Sequence, residues 1–206
     1  MSSLIGGVVN VVNTILNIPR IGWLQRGGVP PQAIAESVGG DHVLLTSYLA
    51  LILCNSAHKV DSDINADKCT SMALIHDAHE ALIGNVSNSA RSLISNWRDI
   101  ETRLFDELQF PEELRNYFRE YRYGLSIEGR IVNLSDKLAT LIRACIYARA
   151  GYDTKELIIN YKELIEKLLS EFTGDVGQVI SNTVKPILSW CDDRAITHTL
   201  SNESPQ

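Results

Sequence analysis

The sequence is poor in the features that would commit it to a cross-linked, membrane-spanning or polyanion-coating design. Its four cysteines, Cys54, Cys69, Cys145 and Cys191, stand far apart with no C-x-x-C pair. Neither a zinc knuckle nor a disulfide framework is readable from them, so reduced, mostly buried thiols in a cytoplasmic protein are expected. Basic residues are outnumbered: 19 Lys and Arg against 25 Asp and Glu give a formal net charge of −6. That argues against a protein that coats nucleic acid, because phosphate backbones are held by clustered cations. A small-molecule substrate stays open. The one early apolar run, Leu4 to Ile18, is interrupted by Asn10, Asn13 and Asn17. It also lacks a basic leader and a small-residue cleavage site, and is shorter than the roughly 18 apolar residues a membrane span needs. It reads as an amphipathic first helix ending near Pro19, with no membrane association expected.

What the chain has is apolar periodicity. Hydrophobic residues make up 45% of 206 positions, enough for one sizeable core, and the length favours a single domain. Apolar residues recur at three and four, with no convincing alternating strand, so the expected fold is an all-α, single-domain helical bundle over residues 1–190. Residues 191–206 form a polar tail that should fray. Pro19 to Ala35, with Gly22, Gly27, Gly28, Pro30 and Pro31, marks an irregular loop. Helices are expected over Asp41 to His58, Ala66 to Ile83, Arg91 to Leu108, Pro111 to Tyr121, Ile127 to Arg149, Lys155 to Phe172 and Val176 to Trp190. Pro186 should kink or split the last of these.

The helix pattern Met72 to Gly84 contains His76-Asp77, two polar groups in an otherwise apolar setting. Burying an imidazole beside a carboxylate costs several kcal/mol unless something pairs them, and a divalent cation pairs both at once. His42, at the start of the second helix, and Asp136, within the long helix, could join them if antiparallel packing converges the three elements. Two imidazoles and two carboxylates form a mixed nitrogen and oxygen set suited to Mn, Co, Fe, Ni, Zn or Mg. The absence of thiolates argues against a purely structural zinc.

The order His42, His76-Asp77, Asp136 resembles the H…HD…D signature of the HD-domain metal-dependent phosphohydrolases, closest to their 5′-deoxynucleotidase branch. "IPRIGW" at Ile18 to Trp23 is similar to that branch's N-terminal arginine motif. "ESVGGDH" at Glu36 to His42 and "HDAHEALIGN" at His76 to Asn85 look like its next two motifs, and Glu120 to Leu138 resembles the segment leading to its last metal ligand. The matched strings span about residues 19–143. The resemblance implies a divalent ion held by His42, His76, Asp77 and Asp136, which would activate a water for attack on a 5′-phosphate. It implies Arg20 as the group that neutralises the substrate phosphate. Glu80, three and four residues after Asp77 and His76, would share their helix face and position or deprotonate the water. Two departures stand out. "ESVGGDH" carries one residue more than the usual spacing, which should reshape the entry to the second helix. Asn85 stands where the branch has an aspartate near substrate, and an amide cannot accept a proton at neutral pH.

The implied substrate is therefore a small-molecule nucleotide, with no nucleic-acid polymer as partner. The rivals are another HD reaction, on a cyclic nucleotide or guanosine polyphosphate, and a nucleotide-binding module whose turnover Asn85 has weakened. A third is an interaction protein in which metal merely staples helices. His79 follows Asp77 by two and should face away from it; Asp41 reads as a helix-start acid rather than a fifth ligand. Arg119 to Arg122 reads as a solvated helix face; because the run lies in the segment that resembles the branch's substrate-side wall, a nucleotide contact by part of Tyr121 to Gly124 is the alternative. The helices after Gly151 should complete the core or a homodimer contact.

Overall fold

Side-chain caps set several of the helix starts. In the computed structural model, which describes residues 3–25 and 30–192, Asn65 accepts from Lys68 N at the start of α5 (Ala66–Ile75). Ser126 does the same from Gly129 N for α10 (Ile127–Arg149). Each satisfies a backbone donor that the first turn leaves unpaired. α1 (Ser3–Asn17), the one-turn helices α2 (Ile21–Leu24) and α3 (Pro31–Ala35), and α4 (Leu44–His58) precede α5. α6 (Glu80–Ile83), α7 (Asn88–Arg91), α8 (Trp97–Glu107) and α9 (Glu112–Tyr123) lie between α5 and α10, and α11 (Lys155–Leu169) and α12 (Gly174–Cys191) follow. Among the described residues the sole extended pairing is an isolated bridge between Pro19 and Ser37. The architecture is all-α, as its 3.6-residue periodicity predicts. The tail from Asp193 onward, His198 included, lies outside the described residues, as do Gly27 and Gly28.

α10 is the axis of the molecule and packs against α4, α5, α9 and α11. Ile131, Leu134, Leu138, Leu141 and Cys145, spaced at three and four, are wholly buried. Residues 38–58 are long and apolar enough to cross a membrane by composition; here they form a central helix whose buried face carries Ala50, Leu53, Cys54 and Ala57. A smaller cluster, under α1, α8 and α9, stacks Phe105 on Phe118 with ring centroids 4.1 Å apart and on Phe110 at 5.2 Å.

Four expectations need correcting. The cysteines are not reduced: Cys54 pairs with Cys69, joining α4 to α5, and Cys145 with Cys191, joining α10 to α12. Partners 15 and 46 residues apart are brought together by helix packing alone, which spacing cannot reveal, and the thiol argument for a cytoplasmic setting falls with it. The expected helix Ala66 to Ile83 breaks at His76 into a tight turn carrying Ile75 O to Ala78 N and Asp77 O to Glu80 N bonds. The expected helix from Arg91 begins instead at Trp97. Pro186 does not split α12, which runs through it, because a single missing donor is outweighed by the packing of Ile180 and Val184 on the core.

Candidate metal centre and substrate cavity

The residue inserted in "ESVGGDH" appears as a π-helical turn, Val38–Val43, running directly into α4. A π turn takes up one residue more per turn than an α-helix, so the insertion is absorbed without rotating the following helix. Gly39 makes it possible: a Cβ there would lie 2.8 Å from Ile15 Cγ1. Ser37 caps the turn by accepting from Gly40 N at 2.9 Å. Asp41 is no ligand; it accepts from Ser37 N at 3.0 Å and pairs with Arg143 at 3.0 Å. His42, the next residue, points inward and is buried.

The turn after α5 solves a second problem of direction. On a continuous α-helix neighbouring side chains diverge by about 100°, yet His76 and Asp77 reach the same point because α5 ends at Ile75, just before them. His42 Nε2 lies 3.4 Å from His76 Nε2, 3.0 Å from Asp136 Oδ1 and 3.6 Å from Asp77 Oδ2, and His76 Nε2 lies 3.2 Å from Asp77 Oδ2. Three elements thus deliver two imidazole nitrogens and two carboxylate oxygens to one focus. His42, His76 and Asp136 offer atoms all within 4.8 Å of one another, and the donor set could hold a divalent cation. Burial, reinforced by Arg20, holds the His42 imidazole down to about 4, leaving it neutral with a lone pair to offer. Burial also works against a charged His76, but the adjoining Asp77 outweighs it and raises the pKa. Against their own burial, both carboxylates are held below the usual range, Asp77 by His76 and Asp136 by Lys137 and His42.

This focus opens onto a cavity of about 460 Å³ lined by Arg20, Trp23, Asn85, Arg91, Arg122 and Tyr161 among others, a size that suits a nucleotide-sized ligand. Arg20 is on its wall, donating to Thr140 Oγ1 at 3.3 Å. Asn85 lines it too and is engaged on both sides. Its Oδ1 accepts from Ile21 N at 2.9 Å, and its Nδ2 donates to the two oxygens of Glu80 at 2.9 and 3.0 Å. Glu80 is buried behind Asn85 and Arg91 rather than lining the cavity itself. Burial, with the negative charge of Asp77, pushes it up to about 8.

The sequence leaves other groups here unassigned, or assigns them only as an alternative. His79 does face away from the focus, but toward Glu101, 3.2 Å from its Oε1. Arg122 is no solvated surface charge: its guanidinium is ion-paired with the wholly buried Glu101 and lies over the Tyr121 ring. Its neighbour Tyr121 donates to Asp136 at 3.3 Å. Leu157 and Tyr161 of α11 close the far wall, outside the motif-bearing stretch 19–143. Charged residues in a run such as "FREYRYG" carry no mark of which one turns inward.

A helical fold that gathers two histidines and two aspartates beside a polar cavity has the donors to hold a divalent ion within reach of a small ligand. Comparison makes this specific. Residues 12–174 match the family model of the HD domain, and the chain belongs to the HD-domain family of metal-dependent phosphohydrolases. It is similar to human 5′-deoxynucleotidase HDDC2, with 22% identity covering 81% of this chain and 83% of that protein. To the Schizosaccharomyces pombe 5′-deoxynucleotidase hdd1 it is 26% identical over 90% of this chain and 85% of that one. Among solved structures, a conserved hypothetical protein from Pyrococcus furiosus superposes with a TM-score of 0.73 at 27% identity, covering 89% of this chain and 98% of its own. An HD-domain phosphohydrolase from Listeria innocua shares the fold, with a TM-score of 0.67 at 16% identity over 94% and 92% of the two chains.

Proposed function

We propose that the protein is a 5′-deoxynucleotidase, releasing deoxynucleoside and inorganic phosphate from deoxyribonucleoside 5′-monophosphates. The observation that carries this reading is the convergence of His42, His76, Asp77 and Asp136 on the floor of a cavity whose wall bears Arg20. The names of the relatives support the choice of substrate. Those four side chains would hold a divalent ion, which would supply Lewis acidity toward a phosphoryl oxygen and lower the pKa of a water.

The chain's own residues do the rest. Arg20 presents a forked set of donors to the phosphate. Glu80 is the buried carboxylate beside the focus that takes no part in the donor set, and its raised pKa lies near a working pH, as a proton acceptor requires. Asn85 acts as a strut: it ties the Arg20 loop, through Ile21 N, to the Glu80 carboxylate, and its N–H donors favour the ionised form of Glu80. In this role it replaces the branch's aspartate by orienting the acid rather than exchanging protons itself.

Purified protein assayed against a panel of deoxy- and ribonucleoside monophosphates, crossed with Mn, Co, Zn and Mg, should release phosphate from at least one deoxynucleotide. Nucleotide binding with no phosphate release under any metal would end this assignment.

A further inference from the structure

We infer that Arg122 and Arg91, fixed in place by the buried carboxylate of Glu101, form a second phosphate-binding wall that selects a dianionic phosphomonoester over a monoanionic phosphodiester. The inference rests on the proposed function and specifies the ionic form of the substrate group.

Glu101, on α8, is wholly buried, and its carboxylate touches His79, Arg91 and Arg122. The Arg91 and Arg122 guanidiniums are the permanently charged groups that face it. A buried ion pair is a poor stabiliser compared with apolar packing of the same volume, since desolvation offsets most of the attraction. Stability alone therefore explains Glu101 badly. Its position explains it better, because both of its arginine partners line the cavity.

Arg91 is fixed three ways: its Nε donates to Val86 O at 2.6 Å, and its two terminal nitrogens lie 3.5 Å from Glu80 and 3.7 Å from Glu101. Arg122 is fixed by Glu101 and by the Tyr121 ring, with its charge centre 5.6 Å from the ring centroid, and its Nε has no hydrogen-bond partner. Two long, flexible side chains are thus held rigid at the cavity wall, where their remaining donors cost little further entropy to use.

Charge decides what they receive. Arg20, Arg91, Arg122 and Lys137 line the cavity against Asp77, Asp136 and Glu156. Once Asp77 and Asp136 are committed to a divalent ion, the four cations face Glu156 and, behind the two arginines, Glu101, which still leaves a positive excess. A phosphomonoester dianion offers three terminal oxygens, enough for the ion, Arg20 and the Arg91–Arg122 wall together. A diester offers two, and its second ester carbon would meet a guanidinium donor that needs an acceptor, an uncompensated polar group.

The test compares wild type with Arg122→Gln, Arg122→Lys and Glu101→Gln. Calorimetric binding of inorganic phosphate and of dimethyl phosphate to the metal-loaded protein is measured beside hydrolysis of a deoxynucleoside monophosphate and bis(4-nitrophenyl) phosphate. Losing one charge-assisted contact should weaken phosphate binding and raise the monoester KM by about tenfold to a hundredfold, with kcat changed far less. Dimethyl phosphate binding and the diester rate should stay level, and Arg122→Lys should recover part of the loss. Equal weakening toward both anions, or no change in either with the melting temperature kept, overturns the inference. If Glu101→Gln fails to fold, the partly exposed Arg122 carries the test alone. A wild type that hydrolyses no nucleotide would sink the nucleotidase reading, while the phosphate against dimethyl phosphate comparison would still decide this one.

Discussion

Replacing Asn85 by aspartate, the residue that the resembled branch carries there, should slow the enzyme at neutral pH rather than improve it. In the structure both Glu80 oxygens accept from the Asn85 amide at 2.9 and 3.0 Å, and the amide is held in that orientation by Ile21 N donating to its oxygen at 2.9 Å. Asn85→Asp keeps the acceptor for Ile21 and turns the donor side into a second carboxylate facing the first. Glu80 is buried at 2% exposure, so little solvent is present to screen the change. Loss of a hydrogen bond to a charged group is worth about 1.5–3 kcal/mol, and 1.36 kcal/mol corresponds to about one pH unit. The Glu80 pKa, already pushed up to about 8 by burial, should therefore rise by roughly one to two units relative to the parent. A proton acceptor must be ionised, so activity climbs as pH rises through that pKa, and the variant needs a more alkaline medium to reach the same rate. The measurement is kcat/KM for a deoxynucleoside monophosphate from pH 5 to 10, for both proteins, with the same saturating metal. An acid limb that stays in place or moves to lower pH would refute both the strut role of Asn85 and the assignment of Glu80 as acceptor.

Further outcomes follow from the same geometry. His76→Ala should abolish the gain in melting temperature on adding Mn or Co and remove phosphate release, while far-ultraviolet circular dichroism stays helical; a metal-dependent gain that persists would place the ion elsewhere. Chain-entropy arguments for loops of 15 and 46 residues put the Cys54–Cys69 and Cys145–Cys191 bonds at about 3 and 4 kcal/mol. Cys69→Ser or Cys191→Ser should lower the melting temperature by on the order of 10 °C, and alkylation of the unreduced, denatured protein should find no reactive thiol. Phe105→Ala, which empties the centre of the phenylalanine stack, should cost about 3–5 kcal/mol in denaturant unfolding; a loss under 1 kcal/mol would mean that α8 and α9 collapse to fill the space.

The architecture was readable because helices write their burial into local spacing. The run from Ile127 to Arg149 alternates at three and four whichever partners it meets, and Gly124 stops the preceding helix by its own backbone freedom, at φ 63°. Chemically unusual residues in ordered strings, His42, His76-Asp77 and Asp136, could likewise be singled out before any fold was known, because polar groups inside apolar helices require a reason.

Tertiary structure alone decided the rest, since it concerned direction and pairing rather than identity. Whether a surplus glycine becomes a loop or a π turn depends on Ile15 across the gap. Which arginine of "FREYRYG" faces solvent depends on Glu101, more than a helix away along the chain. The cysteine pairs exist because α4 lies on α5 and α12 on α10. Local periodicity encodes which face of a helix is buried, but a contact between remote segments is a property of their packing, and no single stretch of chain contains it.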